Sequence, residues 1–572
     1  MSHTRFSSRF SIEERDLQQA RADAAEFLRV KGVQEGIGTA LNELVVQRPG
    51  DVHGFLADYF SRLSEPARIS RICGRELYDA SAQPYIQAQV FCVVCNKEKS
   101  SSAAVSRCLT PTDTWVDGNA DSQERSDDVL TAERWINEPL NDMLRDQNPC
   151  DQSQIDRILS DFFMARVLEE NDVQNKEKQE VMEVMTPSPP PKPAGPDKQR
   201  NKKDKKDKHV LEKGLPPAEP VLRGSAAIGS LSLAVAKTGA QVQGIPLYKY
   251  IAALKSQKVQ EQFHMPVCLV TLLCCGKTSP GKLSLLEEII LIPKAGQSVK
   301  QTVKMAIEIQ KEMMRIMKTS TKAGASQAVV YERGAPAGSY ERPEQPLDLI
   351  TQACRNLGLA LGAEVHLVLN CTAPKLMDYS KGKYEVAAGV FKSPDELVDM
   401  YKTLISSYPA VVALIDPFRR EDPDQWRKFS DAAGDSCLLL SDITYKPHAP
   451  PPPGVRGHIL KHINETTVSD VLRVTSENSG SVLMGTTSNG SCGDDSLSDI
   501  VVGLGLDYVK LGGLSGAERM TKYNRLISIE EELAQQGILV CKEKRAPPLF
   551  PGDPAEESTT TPDTAGGNSA PV

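Results

Sequence analysis

The chain has 572 residues, 40% hydrophobic and 25% charged, with a formal net charge of −8. This is a soluble globular composition, long enough for roughly three to four domains, and its acidic balance gives no reason to expect nucleic-acid binding. No apolar run approaches the ~18 residues of a membrane span, the polar start "MSHTRFSSRFSIEERDL" has no signal-peptide core, and thirteen cysteines without framework spacing read as reduced thiols of a cytoplasmic protein.

Residues 11–63 carry helical periodicity. One short amphipathic run holds Ile37, Leu41, Leu44 and Val45, and a second holds Phe55, Leu56, Tyr59, Phe60 and Leu63. Arg48-Pro49-Gly50-Asp51 separates them. Each run is too short for a stable lone helix, so the pair must bury its apolar face on a second copy, on a partner, or on its own chain. "LNELVVQRPGDVHGFLADYF" resembles the dimerisation-and-docking modules of the regulatory-subunit and Dpy-30 type. That resemblance implies a helical module over residues 1–68, a homodimer, and an anchor helix from a partner protein seated on residues 37–63.

Strand-like runs follow between Arg75 and Arg107, then helical patterns at 129–145 and 153–170. Residues 171–221 are Pro-rich, then Lys/Asp-rich, and are expected to form a disordered insertion. From Met265 to about Gly537, apolar strands such as "VCLVTLL", "EIILIP", "VHLVLN", "AVVALID", "CLLLSD" and "DYVKLGG" alternate with helical stretches, among them 298–317, 394–407 and 515–536. This alternation predicts βα units closed into an α/β barrel. The polar, Pro/Gly/Thr-rich tail, 546–572, is expected to be disordered.

Two lysines stand out. Lys461 ends "HILK" and Lys510 ends "DYVK", both in apolar strands where Lys is seldom placed unless paired or functional. Desolvation makes such a Lys a candidate general base; the same pattern fits a Lys whose stem packs while its head reaches solvent. Acids at strand ends offer partners: Glu287, Glu288, Glu332, Asp416 and Asp442. Cys92-Val-Val-Cys95 has no second pair and is not read as a metal site. Ser515-x-x-Glu518 has the form of a capping box for the last long helix, whose predicted apolar stripe is Tyr523, Leu526, Ile529 and Leu533.

Three stretches carry a family resemblance: "GSAAIGSLSLAVAKTGAQVQGIPLYKYIAAL", "VALIDPFRREDPDQWRKFS" and "VVGLGLDYVKLGGLSGAERMTKYNRLISIEEEL". They resemble enolase, most closely its divergent sperm-type branch. The resemblance implies an α+β capping domain over 69–264, interrupted by the insertion, followed by an α/β barrel over 265–545. Its activity would be dehydration of 2-phosphoglycerate to phosphoenolpyruvate with Mg2+, with a Lys base and enolase-type oligomers. Carried over residue by residue, Lys461 falls on the base and Lys510 on the second lysine. Glu288 falls on the carboxylate of the family's Q-E-F-M block. Glu332 falls near the acid of its G-D-E-G-G loop, here "VYERG".

The metal ligands diverge. The three family carboxylates fall on Asn370, Ile415 and Ser441, with Asp442 beside the last. Asn370 could offer a neutral oxygen and Asp442 a carboxylate after a small shift, which makes a weak magnesium site at best. The phosphate-binding H-R-S run falls on Thr487-Ser488-Asn489, and the G-A-S-T-G lid has no counterpart near "SRCLTPTDTW". Two expectations follow. One is an enolase working through Lys461, Lys510, Glu288 and Glu332. The other is a weak or inactive enolase scaffold with a docking role, for example in the sperm flagellum.

Overall fold

The computed structural model describes residues 12–79, 82–105, 118–184, 222–256, 260–277, 279–320, 330–444, 449–478, 481–486 and 493–540. Two compact units divide the chain, one holding the first 67 residues with the hairpin tip 93–98, the other the rest. In the first, helices Ile12–Val30, Val33–Gln47 and Val52–Leu63 follow one another. The break falls where Pro and Gly predicted it. Arg48 turns into the left-handed region (φ +46°) to cap one helix, and the Asp51 carboxylate accepts from Gly54 N at 2.9 Å to start the next. Leu41 (48% exposed), Val45 (66%) and Leu63 (63%) face solvent.

The second unit opens with most of a three-stranded sheet, Arg68–Tyr78, Pro84–Val94 and Lys97–Val105, ordered as in sequence, with the tip 93–98 counted in the first unit. Cys92 is buried in its strand, whereas Cys95 is exposed in the turn, where it and Asn96 both have positive φ. Helical residues 118–144 and the helix Gln152–Val184 follow. The latter runs on past residue 171, so the expected insertion begins helical; 185–221 lie outside the described residues, as do 541–572.

Eight strands then close a ring: Val267–Cys274, Glu288–Pro293, Val365–Asn370, Val411–Ile415, Leu438–Asp442, Val455–Lys461, Ser481–Gly485 and Tyr508–Gly512, the last pairing in parallel with the first. Seven run in one direction. Glu288–Pro293 is antiparallel to both neighbours, with Glu288 opposite Cys274 and Asn370. That reversal matters for chemistry: the N-terminal residue of this strand comes to the end of the barrel where the others finish. Residues such as Leu269, Ile290, Val368, Ile415, Leu440 and Ile459 fill the interior. Amphipathic helices cover the outside, two of them started by full capping boxes, Ser393 with Glu396 and Thr467 with Asp470. The final helix, Ala517–Gln535, buries Tyr523, Leu526, Ile529 and Leu533 as its stripe predicts, but it is preceded by Gly516 with no side-chain cap; Ser515 does not serve as its cap. Ser515 N instead donates to Gly334 O at 2.8 Å, which ties it to another loop.

A buried carboxylate joins the helices before the barrel to the barrel wall. Asp156, on Gln152–Val184, accepts from Ser232 Oγ (2.6 Å) and Gln152 Nε2 (2.9 Å) on one oxygen, and from Ser469 N (2.9 Å) and Oγ (2.7 Å) on the other. Every partner is a donor, so an amide cannot replace the carboxylate without setting N–H against N–H or O–H. We expect Asp156→Asn to lower the unfolding free energy by about 2–3 kcal/mol, read from denaturant titration. A loss within ~0.5 kcal/mol would show that the joint is not held by this acid.

Candidate functional site

The C-terminal ends of the barrel strands, with Glu288 brought to them by the reversed strand, surround a cavity of about 190 Å³. Six basic and four acidic side chains line it. They form two clusters over an apolar floor that includes Ile415 and Ile459.

The first cluster centres on Glu287 and Glu288. Glu288 is 2% exposed. Its oxygens meet Lys510 Nζ (2.9 and 3.1 Å), Arg333 Nη1 (3.0 Å), Thr271 Oγ1 (2.8 Å) and Asn370 Nδ2 (3.3 Å). Burial works against its charge, but Lys510 and Arg333 outweigh burial and hold the carboxyl far below the usual range. Glu287 accepts from Arg333 Nη2 and from Thr372 Oγ1, and lies 3.5 Å from Lys375 Nζ. Burial is again overcome, by Arg333 and then Lys375, and its pKa falls to about 2. Asn370 is used at both ends: its Nδ2 donates to Glu288, and its Oδ1 accepts from Thr372 Oγ1 at 3.0 Å.

The second cluster holds Lys461, Asp442 and Asp416. Lys461 Nζ lies 2.6 Å from Asp442 Oδ2, while Asp442 Oδ1 accepts from Thr444 N (3.0 Å) and Thr444 Oγ1 (2.5 Å). Burial would raise the Asp442 pKa, but Lys461 prevails and lowers it. Asp416 turns into the left-handed region (φ +45°), and its carboxyl folds back to accept from Ser441 Oγ (3.0 Å) and Asp442 N (3.2 Å). Burial, and after it the Asp442 charge, push the Asp416 pKa up to about 7.

These contacts test the fit of magnesium, a hard cation that wants charged oxygens with free lone pairs. At the three positions of the family carboxylates, Asn370 has its oxygen engaged, Ile415 contributes only carbon to the barrel interior, and the Ser441 hydroxyl donates to Asp416. The neighbouring Asp442 has both oxygens committed to Lys461 and Thr444. Among the described residues no three His, Cys, Asp or Glu side chains are grouped to hold a metal. With Ile415 apolar and the oxygens of Asn370, Ser441 and Asp442 already holding partners, the residues at this end of the barrel are a poor fit for a magnesium ion.

Lys461, Lys510, Glu288, Asp442 and Asn370 all line the one cavity. Glu332 ends the short strand Val330–Glu332, paired with Ala335, and its side chain lies outside the described features; its neighbour Arg333 reaches the cavity instead. The Thr487-Ser488-Asn489 and "SRCLTPTDTW" segments lie outside the described residues. Sequence reading missed Arg333, Lys375, Arg420 and Arg519. Only Arg333 left a signal, as a charged residue inside "VYERG" where the family loop has glycine.

Comparison with known proteins places the chain among relatives. The pattern described as "Enolase, C-terminal TIM barrel domain" matches residues 262–547. A Danio rerio protein named Enolase 4 is 42% identical across 97% of this chain and 98% of the relative. Proteins of the same name are 44% identical in Xenopus tropicalis (93% of this chain, 94% of the relative) and 38% identical in Homo sapiens (93% and 91%).

The raised Asp416 pKa gives a pH test. The folded chain binds the Asp416 proton up to about pH 7, whereas the unfolded chain releases it near pH 4. Stability from this group is therefore full below the unfolded value and lost as pH rises through about 7. Asp416→Asn keeps the acceptor oxygen, tolerates the left-handed backbone, and removes the penalty. We expect the variant to be more stable than the parent by about 1–3 kcal/mol at pH 8, with the gap closing toward pH 5 in thermal melts. A gap that does not change with pH would refute the assignment.

Proposed function

The chain belongs to the enolase family, and on that premise we propose that it is a catalytically weak or inactive member, an enolase barrel whose main role is structural or docking, for example in a flagellum. The observation that supports this most is Ile415. It occupies the position of a metal-binding carboxylate and belongs to the apolar interior of the barrel. The loss of one preorganised stabiliser of developing negative charge costs about 3–4 kcal/mol; two such losses slow turnover roughly 10⁴–10⁶-fold. Lys461 adds to this. It could act as a base only as the free amine, and its Nζ lies 2.6 Å from an Asp442 oxygen, which occupies it in an ion pair.

Residual dehydration of 2-phosphoglycerate is the second reading. The convergence of Lys461, Lys510 and Glu288 on one cavity favours it. A coupled assay for phosphoenolpyruvate with Mg2+ titration and a Lys461→Ala control separates the two. We expect turnover indistinguishable from the control at every Mg2+ concentration; metal-dependent turnover abolished by Lys461→Ala would overturn the weak-enzyme reading.

The docking role draws on the N-terminal unit. Leu41, Val45 and Leu63 are exposed apolar residues on two short helices, and such helices gain stability by burying that face in a homodimer or against an anchor helix. No described helix is long and apolar enough to cross a membrane; the proposed setting is cytoplasmic. Leu41→Asp, a change at an exposed site, is expected to lower the mass of the full chain in light scattering by one association step. An unchanged mass would remove these helices as the association surface.

A further inference from the structure

The helix Val299–Ser320 carries a line of charge that the barrel does not use. One face packs on the barrel through Val303, Ala306, Ile309 and Met313, all buried. The opposite face holds Lys300, Lys304, Lys311 and Lys318, all exposed. By helical geometry these four fall within about 40° of one another, in a line about 27 Å long. None of them has an ion pair or hydrogen bond among the described residues. Arg315, beside them, is held by Glu312.

Other exposed helix faces of the barrel are built differently. Arg473 meets Asp470 and Glu477, Arg427 meets Asp424, and Lys428 meets Asp395. Opposite charges three or four residues apart stabilise an exposed helix, and like charges at that spacing do the reverse. Four lysines in file, on a chain of net charge −8, form a surface matched to negative charge.

The spacing gives that surface a shape. Ile307 and Met314, both half-buried, complete the row, so that 300, 304, 307, 311, 314 and 318 step by four and three in turn. That alternation is the seam along which a second helix lies. Its complement is a helix of similar length with acids and a few apolar residues at the same steps.

This chain contains one. The helix Gln152–Val184 packs on Ala226–Gln243 and Val468–Glu477 in its first half, where Ile155, Leu159 and Phe162 are buried. Between Leu168 and Val184 every described side chain is exposed, Leu168 by 61% and Val173 by 50%. Residues 168–184 hold six acids and two lysines, over about 24 Å of helix. In sequence, Glu170, Val173, Glu177, Glu180 and Val184 repeat the steps of three and four. The two helices have different neighbours, for Val299–Ser320 packs on Glu344–Leu357 and Ala517–Gln535. The match therefore runs from one molecule to another.

We propose that the lysine face of Val299–Ser320 is an interaction surface for the acidic outer half of Gln152–Val184 in a second copy of this chain. Each copy carries both halves of the contact, so a two-fold pair forms it twice. The surface shares no residue with the N-terminal helices or with the lining of the strand-end cavity.

Carbodiimide cross-linking of an equal mixture of isotope-labelled and unlabelled full-length chain tests it. The reagent joins a lysine amine to a carboxylate in contact with it, with loss of water, and mass spectrometry reads the isotope of each arm. The expected product links residues 300–318 to residues 168–184 with one labelled and one unlabelled arm. Lys304→Glu combined with Lys311→Glu should reduce its yield about tenfold or more, because like charges then face one another. Both sites are exposed, and circular dichroism checks the fold of the variant. Adding Glu177→Lys and Glu180→Lys to that variant should restore the product. Absence of the mixed product from the parent chain overturns the proposal. So do links of a single isotope only, which would put the contact within one molecule, and a mixed product that survives reversal of the lysines.

Discussion

Two adjacent carboxylates buried at one end of an apolar barrel cannot both be charged unless fixed cations stand beside them. Glu287 and Glu288 impose that condition here, and much of the site is arranged to meet it. Lys510 comes from the last strand, Arg333 from a hairpin, Lys375 from the turn after the third strand. Thr271, Thr372 and Asn370 supply the remaining hydrogen bonds. They come from four places around the ring, the first and last strands, the Arg333 hairpin, and the end of the third strand with its following turn, so the pair ties these segments together. The compensating charge comes from the protein's own side chains, Lys510, Arg333 and Lys375.

Across the cavity the same balance is struck less completely. Asp442 is matched by Lys461, whereas Asp416 accepts from Ser441 Oγ and Asp442 N and is left beside the Asp442 charge, against which Lys461 is the lesser influence. The consequence is an acid that titrates near neutrality. The two clusters differ because the first has a guanidinium and two lysines for two acids, whereas the second has a single lysine for two. Ile415 lies on the apolar floor of the barrel, in register with Asn370 on one side and Leu440 on the other.

Much of this was legible before the fold was known. Apolar strands ending in Lys461, Lys510, Asp416 and Asp442 announced a barrel with its chemistry at the strand ends, because a buried strand has few reasons to finish on a charged residue. The reversed strand was not legible, since "EIILIP" is apolar on both faces and carries no mark of direction. Its reversal is what places Glu288 at the same end as the lysines. The capping reading of Ser515 failed for a tertiary reason: Gly516 separates it from the helix, and its N–H is drawn to Gly334. Arg333 escaped notice because one charged residue in a Gly-containing turn is ordinarily a solvated one. Only the positive φ and the buried partners distinguish it.

The tie between Ser515 and Gly334 bears on how the chain is made. The hairpin holding Arg333 emerges from the ribosome well before Tyr508–Gly512 and the loop that follows it. Until that loop arrives, nothing fixes the turn, Lys510 is missing, and the glutamate pair faces an unfinished ring. Synthesis halted before the last strand would yield a product with an open barrel seam and two poorly compensated acids at its mouth. Such a fragment has no stable way to close, which makes it a natural target for chaperones and proteases and leaves the completed chain as the product that persists.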